Sequence, residues 1–190
     1  MFDLVCCVAL LAVVVLLGLK YNTPKVERFD TYIARHIQKI PDIAGLFLTV
    51  LSYLTRPLFL GFYASVIFIV IWILQSHTKN VHVVEMVLGM GSIEATKLVI
   101  RRPRRDDPNV QKHGINSFSY PSGHAGSSLL FAMVMSTLYP IPILVATLSV
   151  GAICVGISRI YIRVHYASDV IGGWLMAGAI FSLLLFLGLK

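Results

Sequence analysis

The sequence predicts an all-α integral membrane protein: a bundle of six transmembrane helices, with interfacial helices between the first two spans. Three observations carry that prediction. Hydrophobic residues make up 57% of the chain and charged ones only 13%, far from the roughly 45–50% apolar content of soluble domains, and mean hydropathy is +0.80. Apolar runs near the roughly 17–25 residues that a helix needs to cross a hydrocarbon layer about 30 Å thick recur along the sequence. Charge, proline or a polar cluster ends each run. The 190 residues contain no Pro-, Ser- or Gly-rich linker, repeat or low-complexity segment, so residues 1–190 read as one membrane-embedded domain.

The first run, Leu4–Leu19, could be a signal peptide, but it has no basic residue ahead of it and no small-residue cleavage site before Lys20. It is read as a retained anchor. In the next segment Val26, Phe29, Ile33, Ile37 and Ile40 recur at helical spacing, while Lys25, Glu27, Arg28, Asp30, Arg35 and Lys39 are assigned to the other faces. That pattern suits a helix lying in the membrane interface. Ile43–Thr55 is uncharged but short for a span, and reads as an interfacial or partly inserted helix that either shapes a lipid entry path or only covers the bundle.

Five further spans follow: Pro57–Gln75, His82–Ile100, Ser122–Leu138, Ile141–Tyr161 and His165–Leu189. The span His82–Ile100 carries Glu85, Glu94 and Lys97, whose charges must face protein or water; Glu94 and Lys97 are three apart and can pair across one turn. For Glu94 a structural partnership outweighs a catalytic role. Cys6, Cys7 and Cys154 all lie in apolar runs, where a thiol acts as a small hydrophobe, and indicate neither a disulfide framework nor a metal site.

Three polar clusters remain. Lys97, Arg102, Arg104 and Arg105 close the third span, Pro121-Ser122-Gly123-His124 opens the fourth, and Ser158, Arg159, His165 and Asp169 straddle the end of the fifth and the start of the sixth. Antiparallel succession puts all three on one membrane face. The other face has only the short links Ser76–Val81 and Tyr139–Pro142.

Each cluster supplies a different chemical part. Lys97, Arg102, Arg104 and Arg159 offer charge and donors to phosphate oxygens. Ser122, Gly123 and His124 begin a helix, whose free N–H groups favour an anion. His165 and Asp169, four apart on one helix face, allow the carboxylate to hold one ring nitrogen while the other attacks. His124 is left for general acid work. Taken singly, the arginines could be head-group anchors and Ser-Gly-His a helix cap, but their convergence describes phosphoryl transfer through a phosphohistidine. So many cations disfavour a divalent ion, so no metal and no other cofactor is expected. The net charge of +7 sits beside apolar spans and implies phosphate or anionic lipid, not nucleic acid.

At these residues the chain resembles the type 2 phosphatidic acid phosphatase (PAP2) superfamily. Lys97 and Arg104 match Lys-x6-Arg-Pro, Pro121 to His124 match Pro-Ser-Gly-His, and Ser158, Arg159, His165 and Asp169 match Ser-Arg-x5-His-x3-Asp. Arg105 stands where the pattern has proline, a departure that bears on the loop and not on the spacing of Lys97 and Arg104. The resemblance implies a membrane lipid phosphatase with His165 as nucleophile, Asp169 as its orienting partner and His124 as the acid for the leaving oxygen. It implies phosphate binding by Lys97, Arg104, Ser122, Gly123 and Arg159, with Arg102 auxiliary and Ser158 supporting its helix end. His36, His77, His82 and His113 match no position.

The substrate class implied is a membrane phospholipid or isoprenoid phosphate, such as undecaprenyl diphosphate, phosphatidylglycerol phosphate, phosphatidic acid or the lipid A 1-phosphate. The alternatives are a lipid phosphotransferase using the same site and a non-catalytic transporter or binder of anionic lipids; a binder gains little from an oriented nucleophile plus a separate acid. The resemblance also places the protein in the cell or inner membrane with its site outside the cytoplasm and both termini inside. Lys20, Lys25, Arg28, Arg35, Lys39 and Arg56 on the site side run against the positive-inside tendency.

Overall fold

A computed structural model describes residues 1–55, 77–104 and 118–189, with short helical stretches at 62–63, 65–66 and 69–70. The predicted span Pro57–Gln75 lies almost entirely outside the described residues, as do Arg56, Ser76, Arg105 and His113. Seven helices are complete among them: α1 (Phe2–Leu19), α2 (Pro24–Ile37), α3 (Asp42–Leu54), α4 (His77–Ile100), α5 (Gly123–Leu138), α6 (Pro142–Tyr161) and α7 (Ala167–Leu187). The described residues hold no strand, only an isolated antiparallel bridge between Pro103 and Phe118.

Local chemistry explains several boundaries. Pro24 and Pro142 open α2 and α6, where a helix needs no N–H and φ is already set. Gly188 closes α7 in the left-handed region (φ 112°), and the Leu189 N–H returns to the Leu184 carbonyl at 2.9 Å. Residues 77–81, expected in a link, already belong to α4, since nothing in that segment forbids continuing the helix back from the apolar span.

The last helix, α7, is the hub: α1, α2, α4, α5 and α6 all pack on it. One core joins Met86, Met90 and Ile93 of α4, Leu130 and Val134 of α5, and Ala177, Ile180 and Leu184 of α7. The crossing of α5 on α7 is close because two glycines meet there. A Cβ on Gly173 would lie 2.5 Å from the Ser122 carbonyl oxygen, and one on Gly126 would lie 2.9 Å from that of Gly173. This crossing holds the start of α5 against the first turns of α7.

Phe2–Leu19, Pro142–Tyr161 and Ala167–Leu187 are long and apolar enough to cross a membrane, and α2 with α3, bent by 116° at their junction, form a possible fourth span or a re-entrant pair. The predicted six-span count therefore exceeds what length and hydropathy support among the described residues. Helix α4 carries too many charges, and α5, at 16 residues, is short. Two pairs form within α4: His82 Nδ1 lies 3.0 Å from Glu85 Oε2, and Lys97 Nζ donates to Glu94 Oε2 at 2.6 Å.

Candidate active site

The chain leaves α6 at Tyr161, and five residues later α7 begins with Tyr166 as its N-cap. The turn between them is tight. Arg163 adopts a left-handed conformation (φ 59°), and the His165 N–H donates to the Arg159 carbonyl at 3.1 Å. From the end of α2, Gln38 Nε2 donates to the Tyr161 carbonyl at 2.7 Å and Gln38 Oε1 accepts from Arg163 Nε at 3.0 Å, so α2 secures this turn.

His165 and Asp169 are both buried, at 1% and 0% exposure, with His165 Nδ1 3.5 Å from Asp169 Oδ2. They do not share a helix face as their spacing suggested. His165 precedes the N-cap, and Asp169, the third residue of α7, curls back so that Oδ2 accepts the Tyr166 N–H at 2.9 Å. The carboxylate thus caps the helix, where the dipole favours its charge, and presents the same oxygen to the ring.

The second oxygen, Oδ1, accepts from Arg102 Nη1 at 2.7 Å. Arg102 is itself only 4% exposed and also donates from Nη2 to Asp30 Oδ2 at 2.9 Å and from Nη1 to Ser168 Oγ at 2.7 Å. Asp30 in turn accepts the Ser168 N–H and hydroxyl, both at 2.7 Å. The Tyr166 ring centroid lies 3.9 Å and that of Tyr21 5.1 Å from the guanidinium carbon. Asp30, expected on a polar face of α2, is 2% exposed. It is four residues after Val26 and three before Ile33, so it lies on the buried stripe and is partnered there.

Lys97, Arg104 and Arg159 are all near enough to act on the ring electrostatically. His165, in the connection ahead of α7, has a pKa well below the ordinary 6.5, first because of burial and then because of Arg159, Arg104 and Lys97; a hydrogen bond from the ring to the Ser119 backbone opposes them. Lys97 sits at the end of α4, 3% exposed beside Glu94. Arg104 Nη1 donates to the Val164 carbonyl at 3.3 Å, and Arg159 Nη1 to Ser52 Oγ on α3 at 2.5 Å.

The extended segment after α4 is fixed by the Ser119 N–H, which donates to the Arg102 carbonyl at 2.8 Å. Arg101 makes the turn into it in a left-handed conformation (φ 52°). Next to it, the Tyr120 hydroxyl donates to the Val14 carbonyl on α1 at 2.6 Å, and burial, then Asp169, push its pKa well above the usual phenol value.

Ser122, Gly123 and His124 form the N-terminus of α5 against this assembly. The Ser122 N–H donates to the Asp169 carbonyl at 2.9 Å, while its buried hydroxyl has no partner among the described residues. Gly123 lies against the Glu94 carboxylate, where a Cβ would collide. Among the described residues no group of three His, Cys, Asp or Glu side chains comes together as metal ligands would.

The structure therefore gathers Lys97, Arg104, Arg159, His165 and Asp169 at one end of the bundle, with the start of α5 beside them. Arg102 belongs to the layer behind Asp169. Sequence reasoning missed Asp30, Ser168, Ser119 and Ser52. A signal existed only for Asp30: an acid at apolar spacing on an amphipathic helix.

A family model described as the PAP2 superfamily matches residues 78–188, more than half of the chain. No curated protein matches the chain. A crystal structure of a transmembrane PAP2 type phosphatidylglycerolphosphate phosphatase from Bacillus subtilis is similar at a TM-score of 0.78 and 24% identity, over 98% of this chain and 96% of that one. Aquifex aeolicus LpxE is similar at a TM-score of 0.58 and 24% identity, over 82% of this chain and 93% of its own.

Proposed function

Since the chain belongs to the PAP2 superfamily, we propose that it is a membrane lipid phosphatase working through a phosphohistidine on His165. One observation carries this reading: a buried histidine, its pKa held down by burial and by Arg159, Arg104 and Lys97, lies 3.5 Å from the carboxylate of Asp169. The cations bind the phosphoryl oxygens and the charge that builds in the transition state. With Nδ1 facing Asp169, Nε2 attacks phosphorus, the P–N bond forms, and the bond to the lipid oxygen breaks. His124 protonates that oxygen, then removes a proton from the water that splits the P–N bond and releases inorganic phosphate.

Further support comes from the start of α5, where the unpartnered Ser122 hydroxyl and the N–H groups around Gly123 suit phosphate oxygens. Arg102, expected as an auxiliary phosphate ligand, instead supports Asp169 in this scheme. The reaction needs no metal or other cofactor, because Lys97, Arg104 and Arg159 supply the positive charge that a metal would bring.

The substrate is a phosphomonoester or diphosphate of a membrane lipid, with phosphatidylglycerol phosphate and a prenyl diphosphate ahead of phosphatidic acid and the lipid A 1-phosphate. The related fold of a phosphatidylglycerolphosphate phosphatase favours the first. The site opens outside the cytoplasm, and α4 and α5 cross the membrane inside the bundle, where neighbouring helices rather than lipid face their polar residues. Phosphate release from a panel of these four lipids in detergent micelles tests the reading. Turnover by the purified protein and its loss in His165→Ala are expected; no release from any of them, or undiminished release by His165→Ala, overturns it. Adding an acceptor lipid and analysing products separates hydrolysis from phosphotransfer.

A further inference from the structure

We propose that Asp30 is a positioning residue of this site, acting through Arg102 on the carboxylate of Asp169 that orients His165. The inference rests on the phosphatase reading above, and its evidence is a buried cluster of two carboxylates and one guanidinium. Arg102 bridges Asp30 and Asp169 at 2.9 and 2.7 Å, and Ser168, next to Asp169, gives both its N–H and its hydroxyl to Asp30 at 2.7 Å. Asp30 therefore fixes the first turn of α7 and the arginine that grips Asp169.

Charge balance shows why a second acid is useful. When His165 attacks, its ring acquires positive charge while Lys97, Arg104 and Arg159 already stand near it. Asp169 offers the compensating negative charge, but Arg102, 2.7 Å away, competes for it. Asp30 neutralises Arg102 and leaves the cluster of Asp30, Arg102 and Asp169 with one net negative charge beside the ring. Among the described residues Arg102 forms ion pairs with Asp30 and Asp169, and Glu27 and the Tyr21 and Tyr166 rings line the same cavity. Because Asp30 belongs to α2, catalysis depends on how that amphipathic helix is seated.

The test compares wild type, Asp30→Asn and Asp30→Glu on phosphatidylglycerol phosphate in detergent micelles, with thermal melting as the check on folding. Asp30→Asn should lower kcat by roughly 10–100-fold, as is typical when a group that orients a catalytic partner is lost, with KM within about twofold because the phosphate-binding cations are untouched. It should also move the acid limb of kcat/KM to lower pH, since removing a negative charge makes the histidine harder to protonate. Asp30→Glu keeps the charge, so its acid limb should return to the wild-type position while kcat stays below wild type. Unchanged kcat in either variant, a raised KM with unchanged kcat, or a lowered kcat with an unmoved acid limb in Asp30→Asn would overturn the role. If Asp30→Asn is not recovered folded, Asp30→Glu decides alone: wild-type kcat, or a moved limb, overturns it. Failure of wild type to release phosphate from any lipid in the panel is a different result; it removes the phosphatase reading and this inference with it.

Discussion

At the scale of single residues, the division of labour between the two histidines is the most direct test. His165→Ala should abolish turnover and any acid-labile phosphoenzyme, while His124→Ala should lose about 10²–10⁴-fold with lipid alkoxide leaving groups. An aryl phosphate, whose leaving group needs less protonation, should recover part of the His124→Ala loss and none of the His165→Ala loss. Phosphate trapped on His124, or equal rescue of both variants, would reverse the assignment. The pH profile follows from the depressed pKa of His165. A base whose pKa is lowered stays unprotonated as pH falls, until the pH reaches that lowered value. The acid limb of kcat/KM should therefore lie below the ordinary histidine value of 6.5; a limb above it would show that the cations do not act on the ring as their placement implies.

At the scale of elements, the site is framed by the crossing of α5 on α7, and α1 is tied to the segment ahead of α5 through Tyr120. The Gly126–Gly173 approach leaves no room for a side chain, with the Ser122 carbonyl 2.5 Å from a Cβ on Gly173. Gly173→Ala should therefore destabilise by about 1–3 kcal/mol, the usual cost of overpacking, and lower kcat as well, because Ser122 hydrogen-bonds Asp169 across that crossing. Melting temperature and turnover measured on the same preparation check both parts. Tyr120→Phe removes the hydrogen bond to the Val14 carbonyl of α1; a loss of roughly 1 kcal/mol is expected, with KM unchanged.

At the scale of the whole molecule, orientation and metal use are each open to direct measurement. The proposed orientation, with the site outside the cytoplasm and both termini inside, predicts that a reporter fused at Lys190 is cytoplasmic; an extracytoplasmic signal would place the site on the other side. Activity should survive EDTA, and vanadate, which adopts a five-coordinate shape like that of the phosphoryl transition state, should inhibit in competition with substrate. Loss of turnover on chelation, restored by Mg²⁺, would assign the positive charge of Lys97, Arg104 and Arg159 another task.

The helical class, the apolar runs and the meeting of three polar clusters were legible in the sequence because they rest on periodicity, span length and the alternation of direction between helices, all local or countable properties. Lys97, Arg104, Arg159, His165 and Asp169 could be picked out for that reason, and the structure puts them at one end of the bundle. The partners of Arg102 were not legible. Asp30 is 72 residues away and Ser168 is 66 away, and nothing in spacing says which of several arginines will turn inward. Tertiary packing decided it: the turn at Arg101 and the pairing of Ser119 with Arg102 aim that side chain at α7. Burial then requires every charge on it to be matched. For the same reason the relation of His165 to Asp169 came from a helix cap rather than a helix face, since where a helix starts depends on which N–H groups find partners, and here one of those partners is the Asp169 carboxylate itself.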